Sequence, residues 1–173
     1  MGKNLIVYFS HTGENYVNGA IKNLTKGNTE IVAEMIQDEI GGDLFEIVPL
    51  HDYNYDYYKC IDEAKRELNK NARPEIKECT LNIAEYDTVY LGYPNWWGTC
   101  PMCVFTFLEQ YDFTGKRIAP FCTNEGSGMG SSEGDIKRLC KGANILKGLP
   151  IHGAEASRSG KKISSWLNEV FQK

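Results

Sequence analysis

Three stretches of this 173-residue chain concentrate hydroxyls, amides, indoles and glycines in short polar segments. The first is Ser10-His11-Thr12-Gly13-Glu14-Asn15, resumed at Gly27-Asn28-Thr29. It offers three hydroxyls and two glycines ahead of a helical pattern. Inward N–H groups and hydroxyls at a helix N-terminus can hold a terminal phosphate without any cation. Neither segment contains Arg or Lys, so neutral donors would do that work. The plainer reading is a capped strand-to-helix turn, since Ser, Thr and Asn cap helices anyway. The Walker pattern and the three-glycine dinucleotide pattern are both missing from the loop.

The second stretch is Tyr93-Pro94-Asn95-Trp96-Trp97-Gly98-Thr99. Two adjacent indoles in a polar loop need a flat partner, a core pocket or an interface. The pair divides naturally, with Trp97 beside a planar ligand and Trp96 as packed support. Gly98 can change the sign of φ cheaply, so its peptide could turn a carbonyl toward a ligand. The third stretch, Thr123-Asn124-Glu125-Gly126-Ser127-Gly128 through Ser132, holds three glycines, with Gly134 just beyond. Backbone can approach a ligand closely there, and its N–H and side-chain groups suit the polar edge of a ring. A flexible surface loop is the alternative, although long special loops are usually functional.

Alternating strands and helices must position these loops. Leu5 to Phe9, Asp43 to Leu50, Asp87 to Tyr93, Lys116 to Cys122 and Asn144 to Ile151 read as strands. Helical patterns cover Thr29 to Ile40, Tyr57 to Asn71, Pro101 to Tyr111, Gly134 to Cys140 and Ser159 to Phe171. The second of these is a polar helix. The alternation predicts an α/β protein, a doubly wound parallel sheet in one domain over residues 1–173. Ligands of such sheets bind outside the carboxyl ends of the strands, and the three stretches follow strands one, three and four. The segment Glu14 to Lys26 interrupts the scheme, and Asn18-Gly19 within it signals a short hairpin.

Composition narrows the function classes. Nineteen basic against 23 acidic residues give a net charge of −4, which carries no general attraction for nucleic acid. The apolar run at the N-terminus is too short for a signal peptide or a membrane span, so no membrane association and a cytoplasmic location are expected. Six cysteines then read as mostly reduced thiols. Cys100-Pro-Met-Cys103 looks like a dithiol at a helix start, where a thiolate would be stabilised, although packing is the stronger reading. His51 and His152 stand alone, and no metal-ligand spacing appears. No catalytic nucleophile–base pair is evident either. Tyr53, Tyr55, Tyr57 and Tyr58 form an aromatic run, read as a lid or packing segment beside the sheet.

In order along the chain stand Tyr-Phe-Ser-x-Thr-Gly, Gly-Asn-Thr, Tyr-Pro-Asn-Trp-Trp-Gly-Thr and Thr-Asn-Glu-Gly-Ser-Gly. With these motifs the sequence resembles the flavodoxin family, in its branch with the Tyr-Pro-Asn-Trp-Trp-Gly signature. The resemblance implies a flavodoxin-like five-stranded parallel sheet in order 2-1-3-4-5, a non-covalent FMN and electron transfer with redox protein partners. An FMN-dependent NAD(P)H:quinone-type oxidoreductase is the alternative on the same fold. It further implies that Ser10, His11, Thr12, Gly13, Glu14, Asn15, Asn28 and Thr29 surround the phosphate. Pro94, Asn95, Trp96, Trp97 and Gly98 would line one side of the ring, and Thr123, Asn124, Glu125, Gly126, Ser127 and Gly128 the other. A Gly98 carbonyl would accept from a newly protonated flavin nitrogen. Three departures stand out: a split phosphate loop, no aromatic residue in the loop after strand four, and no large acidic patch.

Overall fold

The computed structural model describes residues 2–171. Strands β1 (Asn4–Tyr8), β4 (Asp43–Glu46), β5 (Thr88–Pro94) and β6 (Arg117–Asn124) pair in the order β4-β1-β5-β6, all parallel. Beyond β6 lie two short strands, β7 (Asn144–Ile145) and β8 (Leu149–His152), each parallel to β6. The order is the expected 2-1-3-4-5, with the fifth position in two pieces. Strand residues alternate between the faces, as a sheet covered on both sides requires. Leu5, Val7, Val89 and Leu91 pack with helix α3 (Met102–Glu109) and with Ile136 of α4 (Ser132–Leu139). Ile6, Tyr8, Tyr90 and Phe121 pack with α1 (Asn28–Ile40) and α5 (Gly160–Phe171).

Two strands depart from their sequence readings. The fifth breaks because β6 offers it no donor midway. Ile118 O accepts from Leu146 N–H on that side, and Pro120, two residues on, has no N–H to continue the ladder. The register slips by one residue there, from Ile118↔Ile145 to Phe121↔Leu149, as in a bulge. The second strand stops at Glu46 instead of reaching Leu50. Past Ile47 the chain turns to pair antiparallel with 75–77, through Lys77 N–H to Val48 O (2.7 Å) and Leu50 N–H to Glu75 O (2.8 Å).

The expected hairpin is present. Strands β2 (Gly13–Val17) and β3 (Ala20–Leu24) are antiparallel, and Asn18 (φ 52°) and Gly19 (φ 84°) give the two positive values of a type I′ turn. Helix α2 (Tyr57–Asn69) follows the Tyr-rich segment and is capped by Asp56, whose side chain accepts from Lys59 N–H. No helix of the described residues is long and apolar enough to cross a membrane.

Candidate functional site

The carboxyl ends of β1, β5, β6 and β8 converge on a cavity of about 300 Å³. The chain leaves β1 toward α1 on one face and β5 toward α3 on the other, which makes the crevice between these strands a topological switch point. At its α1 rim, Ser10 Oγ accepts the Glu30 N–H (3.1 Å). The two earlier N–H groups of the helix, on Asn28 and Thr29, take no acceptor among the described residues. The Thr29 hydroxyl is buried and bonded to that of Thr123 (2.7 Å), tying the first loop to the third.

The second loop is a two-residue reversal, with Trp96 N–H donating to Thr99 O (3.0 Å). Its central residues have φ of 55° (Trp97) and 87° (Gly98). A bulky side chain in the left-handed region costs about 1–2 kcal/mol, a strain that clusters at functional sites. Trp96 packs edge-on against Tyr53 (4.8 Å), Phe9 (5.3 Å) and His11 (5.7 Å), the support role read from the sequence. Trp97 stays 47% exposed, donates Nε1–H to Ile61 O (2.9 Å) and has Lys65 Nζ over its ring.

Side-chain amides hold the loops in shape. Asn124 Oδ1 accepts from Gly126 N–H (2.9 Å) and Gly128 N–H (3.1 Å), and its Nδ2 donates to Ile151 O (3.2 Å). Asn95 Nδ2 donates to Gly128 O (2.8 Å) while its Oδ1 accepts from Gly98 N–H (2.9 Å). The Gly98 carbonyl accepts both Ser131 N–H (2.7 Å) and Ser131 Oγ–H (3.1 Å). It is committed to the third loop here, so a flip of the Gly98 peptide toward a ligand would break both bonds.

Of the nineteen residues singled out by sequence, thirteen line the cavity: His11, Glu14, Asn15, Asn28, Thr29, Pro94 to Trp97, Thr123 to Glu125 and Ser127. Ser10, Thr12, Gly13, Gly98, Gly126 and Gly128 do not. Ser10 instead caps α1, and Gly13 is packed under the Tyr55 ring, which a Cβ there would approach to 2.8 Å. Six lining residues were missed: Tyr16, Tyr57, Cys60, Ile61, Ala64 and Gly153. Positions 57, 60, 61 and 64 form an i, i+3, i+4, i+7 stripe, a signal hidden by the charges on the rest of α2. Gly153 follows the fifth strand and obeys the same carboxyl-end rule as the other loops. Two further aromatic residues thus line the cavity, Tyr57 from α2 and Tyr16 from the hairpin.

The lining contains two carboxylates and no Lys or Arg. Both carboxylates are engaged: Glu14 Oε2 accepts Tyr57 N–H (2.9 Å), and Glu125 Oε2 accepts Asn18 N–H (2.9 Å) with His152 Nε2 at 3.5 Å. Burial pushes the His11 imidazole down from its ordinary value, with Glu63 opposing in part. Its Nε2 is enclosed without a partner. Cys100 and Cys103 are fully buried, and desolvation raises both thiols well above the usual range. The helix start therefore does not stabilise a thiolate there. All six cysteines are free, and no metal-binding group occurs among the described residues.

A parallel sheet wound with helices on both faces, carrying a polar-rimmed and aromatic-walled cavity at its switch point, defines a ligand-binding protein of the doubly wound α/β class. The family model described as Flavodoxin matches residues 3–170, and the chain belongs to the flavodoxin family. It is 26% identical to flavodoxin 1 of Escherichia coli K12 over 127 residues, covering 71% of this chain and 54% of that protein. The chain thus spans about half the length of the curated relatives it matches. A solved protein from Bacteroides eggerthii is 30% identical with a TM-score of 0.78, each chain covered in full. A flavoprotein from Lactobacillus acidophilus, solved in complex with FMN, is 25% identical with a TM-score of 0.66, covering 91% of this chain and 98% of that one.

Proposed function

We propose that this protein, as one domain spanning residues 1–173, holds one FMN non-covalently and passes electrons to and from redox protein partners. The observation that carries the reading is the cavity itself. It joins the N-terminus of α1, where the N–H groups of Asn28 and Thr29 take no acceptor among the described residues, to a wall of Trp97, Tyr57 and Tyr16. A phosphate suits the first feature and a planar ring the second. At about 300 Å³ the cavity reaches the lower end of the range for small-molecule sites. The residues fit the group: the buried, unpartnered His11 Nε2 and the spare N–H groups mark polar capacity that the protein leaves unused.

When bound, FMN supplies the electron chemistry, and the protein supplies binding and electrostatics. Asn28 and Thr29 would hold the phosphate through their spare N–H groups, with His11 and Asn15 beside them on the cavity wall and Ser10 behind, capping α1. Trp97 would cover the ring, with Pro94, Asn95 and Trp96 behind it. The loop from Thr123 to Gly128 would face the ring's polar edge, held in shape by Asn124. The engaged carboxylates Glu14 and Glu125 make the surroundings mildly negative and so disfavour added electrons. The Tyr-Pro-Asn-Trp-Trp-Gly turn supports grouping the chain with relatives of that signature, and six free thiols suit the reducing cytoplasm.

The exposed rings of Tyr16, Tyr58 and Trp97 also favour a second reading. Of these, Tyr16 and Trp97 line the cavity, where a nicotinamide or quinone ring could stack, as an FMN-dependent NAD(P)H oxidoreductase requires. The visible spectrum of the purified protein, and of the ligand-free chain titrated with FMN, tests the first claim. A colourless protein that ignores added FMN overturns it. Rapid bleaching by NAD(P)H alone selects the oxidoreductase, and bleaching only through a reductase partner selects the carrier.

A further inference from the structure

The β2–β3 hairpin is attached in an uneven way. Its root is fixed several times over: Glu14 N–H donates to Tyr55 O (3.1 Å), Glu14 Oε2 accepts Tyr57 N–H (2.9 Å), and Gly13 lies under the Tyr55 ring. Its tip makes one hydrogen bond to the body of the protein among the described residues, Asn18 N–H to Glu125 Oε2 (2.9 Å), across 107 residues of sequence. Between root and tip, Glu14, Asn15 and Tyr16 form part of the cavity wall. Glu125, on the loop after β6, belongs to the opposite wall.

Between root and tip the hairpin also packs its Tyr16 ring, tilted, against Tyr57 (6.1 Å). Gly13 and Val17 are its only buried residues, and β3 is exposed from Ala20 through Asn23. Its two five-residue strands pair only with each other. A lone two-stranded hairpin is marginally stable in water, and segments with few buried contacts open at low free-energy cost. The tip contact also sits above the α1 rim. A Cβ on Gly153 would meet Asn28 Nδ2 at 2.8 Å and Glu125 Oε1 at 2.5 Å, so these two side chains are neighbours over the first residue of α1.

We propose that the β2–β3 hairpin is a lid hinged at Gly13–Glu14 and latched at its tip by Glu125, and that its opening sets the rate at which ligand enters and leaves the α1 end of the cavity. The inference rests on the FMN reading, because FMN is the probe. Two variants weaken the latch in different ways. Glu125→Ala removes the acceptor. Gly19→Ala strains the turn at φ 84° without touching anything, since a Cβ there has open space within 4 Å.

Stopped-flow mixing of the ligand-free chain with FMN, and release of FMN from the loaded chain, give the two rates. Both variants should raise uptake and release together, Gly19→Ala by roughly five- to thirtyfold for a left-handed strain of this size and with Kd moving less than either rate. Unchanged uptake in either variant overturns the lid, even if release accelerates, because that pattern marks an ordinary contact. Should the wild-type chain take up no FMN, the functional reading falls first. The lid is then judged by trypsin cleavage after Lys22: faster cutting in both variants upholds it, and equal cutting in all three chains overturns it.

Discussion

Replacing Gly27 with alanine should lower stability by about 2–4 kcal/mol, although Gly27 needs no glycine conformation. Its φ of −69° and ψ of 152° are extended backbone that any residue adopts. The constraint is space. A Cβ would lie on Ser10 Oγ and 2.8 Å from His11 O. Moving the serine hydroxyl breaks its bond to Glu30 N–H, a helix-end interaction whose loss costs about 1 kcal/mol. Displacing the His11 backbone adds overpacking strain of about 1–3 kcal/mol. Ser10→Ala alone loses the cap, about 1 kcal/mol, and it also removes the atom with which the new methyl collides. The double variant should therefore be no less stable than Gly27→Ala alone, a coupling of at least about 1 kcal/mol. Urea unfolding of the four chains, with equal m-values, measures this. A Gly27→Ala chain within about 0.5 kcal/mol of wild type, or strictly additive effects, would refute the close packing of the split first loop.

The two indoles should separate stability from binding: Trp96→Ala, which empties a ring nest of Phe9, Tyr53 and His11, should cost about 3 kcal/mol, and more than Trp97→Ala. Trp97→Ala should instead weaken FMN binding at least about tenfold by fluorescence titration, and Trp97→Gly should be about 1 kcal/mol more stable than Trp97→Ala because it relieves the φ of 55°. For His11, burial lowers the folded value below the ordinary 6.5, so the unfolded chain binds the proton first as pH falls, and stability drops from pH 6.5 downward through the folded value. Glu46 and Glu67 are raised by desolvation and act in the opposite sense, so the difference between wild type and His11→Gln, read as thermal midpoint at pH 5.5 and 7.5, isolates the imidazole; an unchanged pH dependence in the variant would sink the assignment.

What the sequence revealed and what it hid follow from the range of the forces involved. β1, β5 and β6 are continuous apolar runs, and the turn at Asn18-Gly19 is a two-residue conformational preference, so each is settled locally. The break in the fifth strand is not local, since its cause is Pro120 on the neighbouring strand. The early end of β4 depends on a partner at 75–77, and the Gly98 carbonyl is claimed by Ser131, 33 residues away. Three loops following three strands announced most of the cavity. Its remaining wall came from α2, whose stripe at 57, 60, 61 and 64 is outweighed in sequence by charge. The thiols show the same competition of scales. A helix start favours a thiolate by a local field, but Cys100 and Cys103 lie in the core, where the cost of burying a charge dominates.

The same reasoning explains why the hairpin matters more than its sequence suggested. As a detour between β1 and α1 it has no core of its own, so its placement comes from contacts with distant elements, Tyr16 packing on Tyr57 and polar groups bonding at root and tip. Those contacts, Glu14 with the start of α2 and Asn18 with Glu125, join both walls of the cavity. An insertion that split the first loop in sequence thus bridges, in space, the elements that the loop and its neighbours present to a ligand. Its weak intrinsic stability then becomes a kinetic property of the site: the rim is complete when the tip is latched and open when it is not.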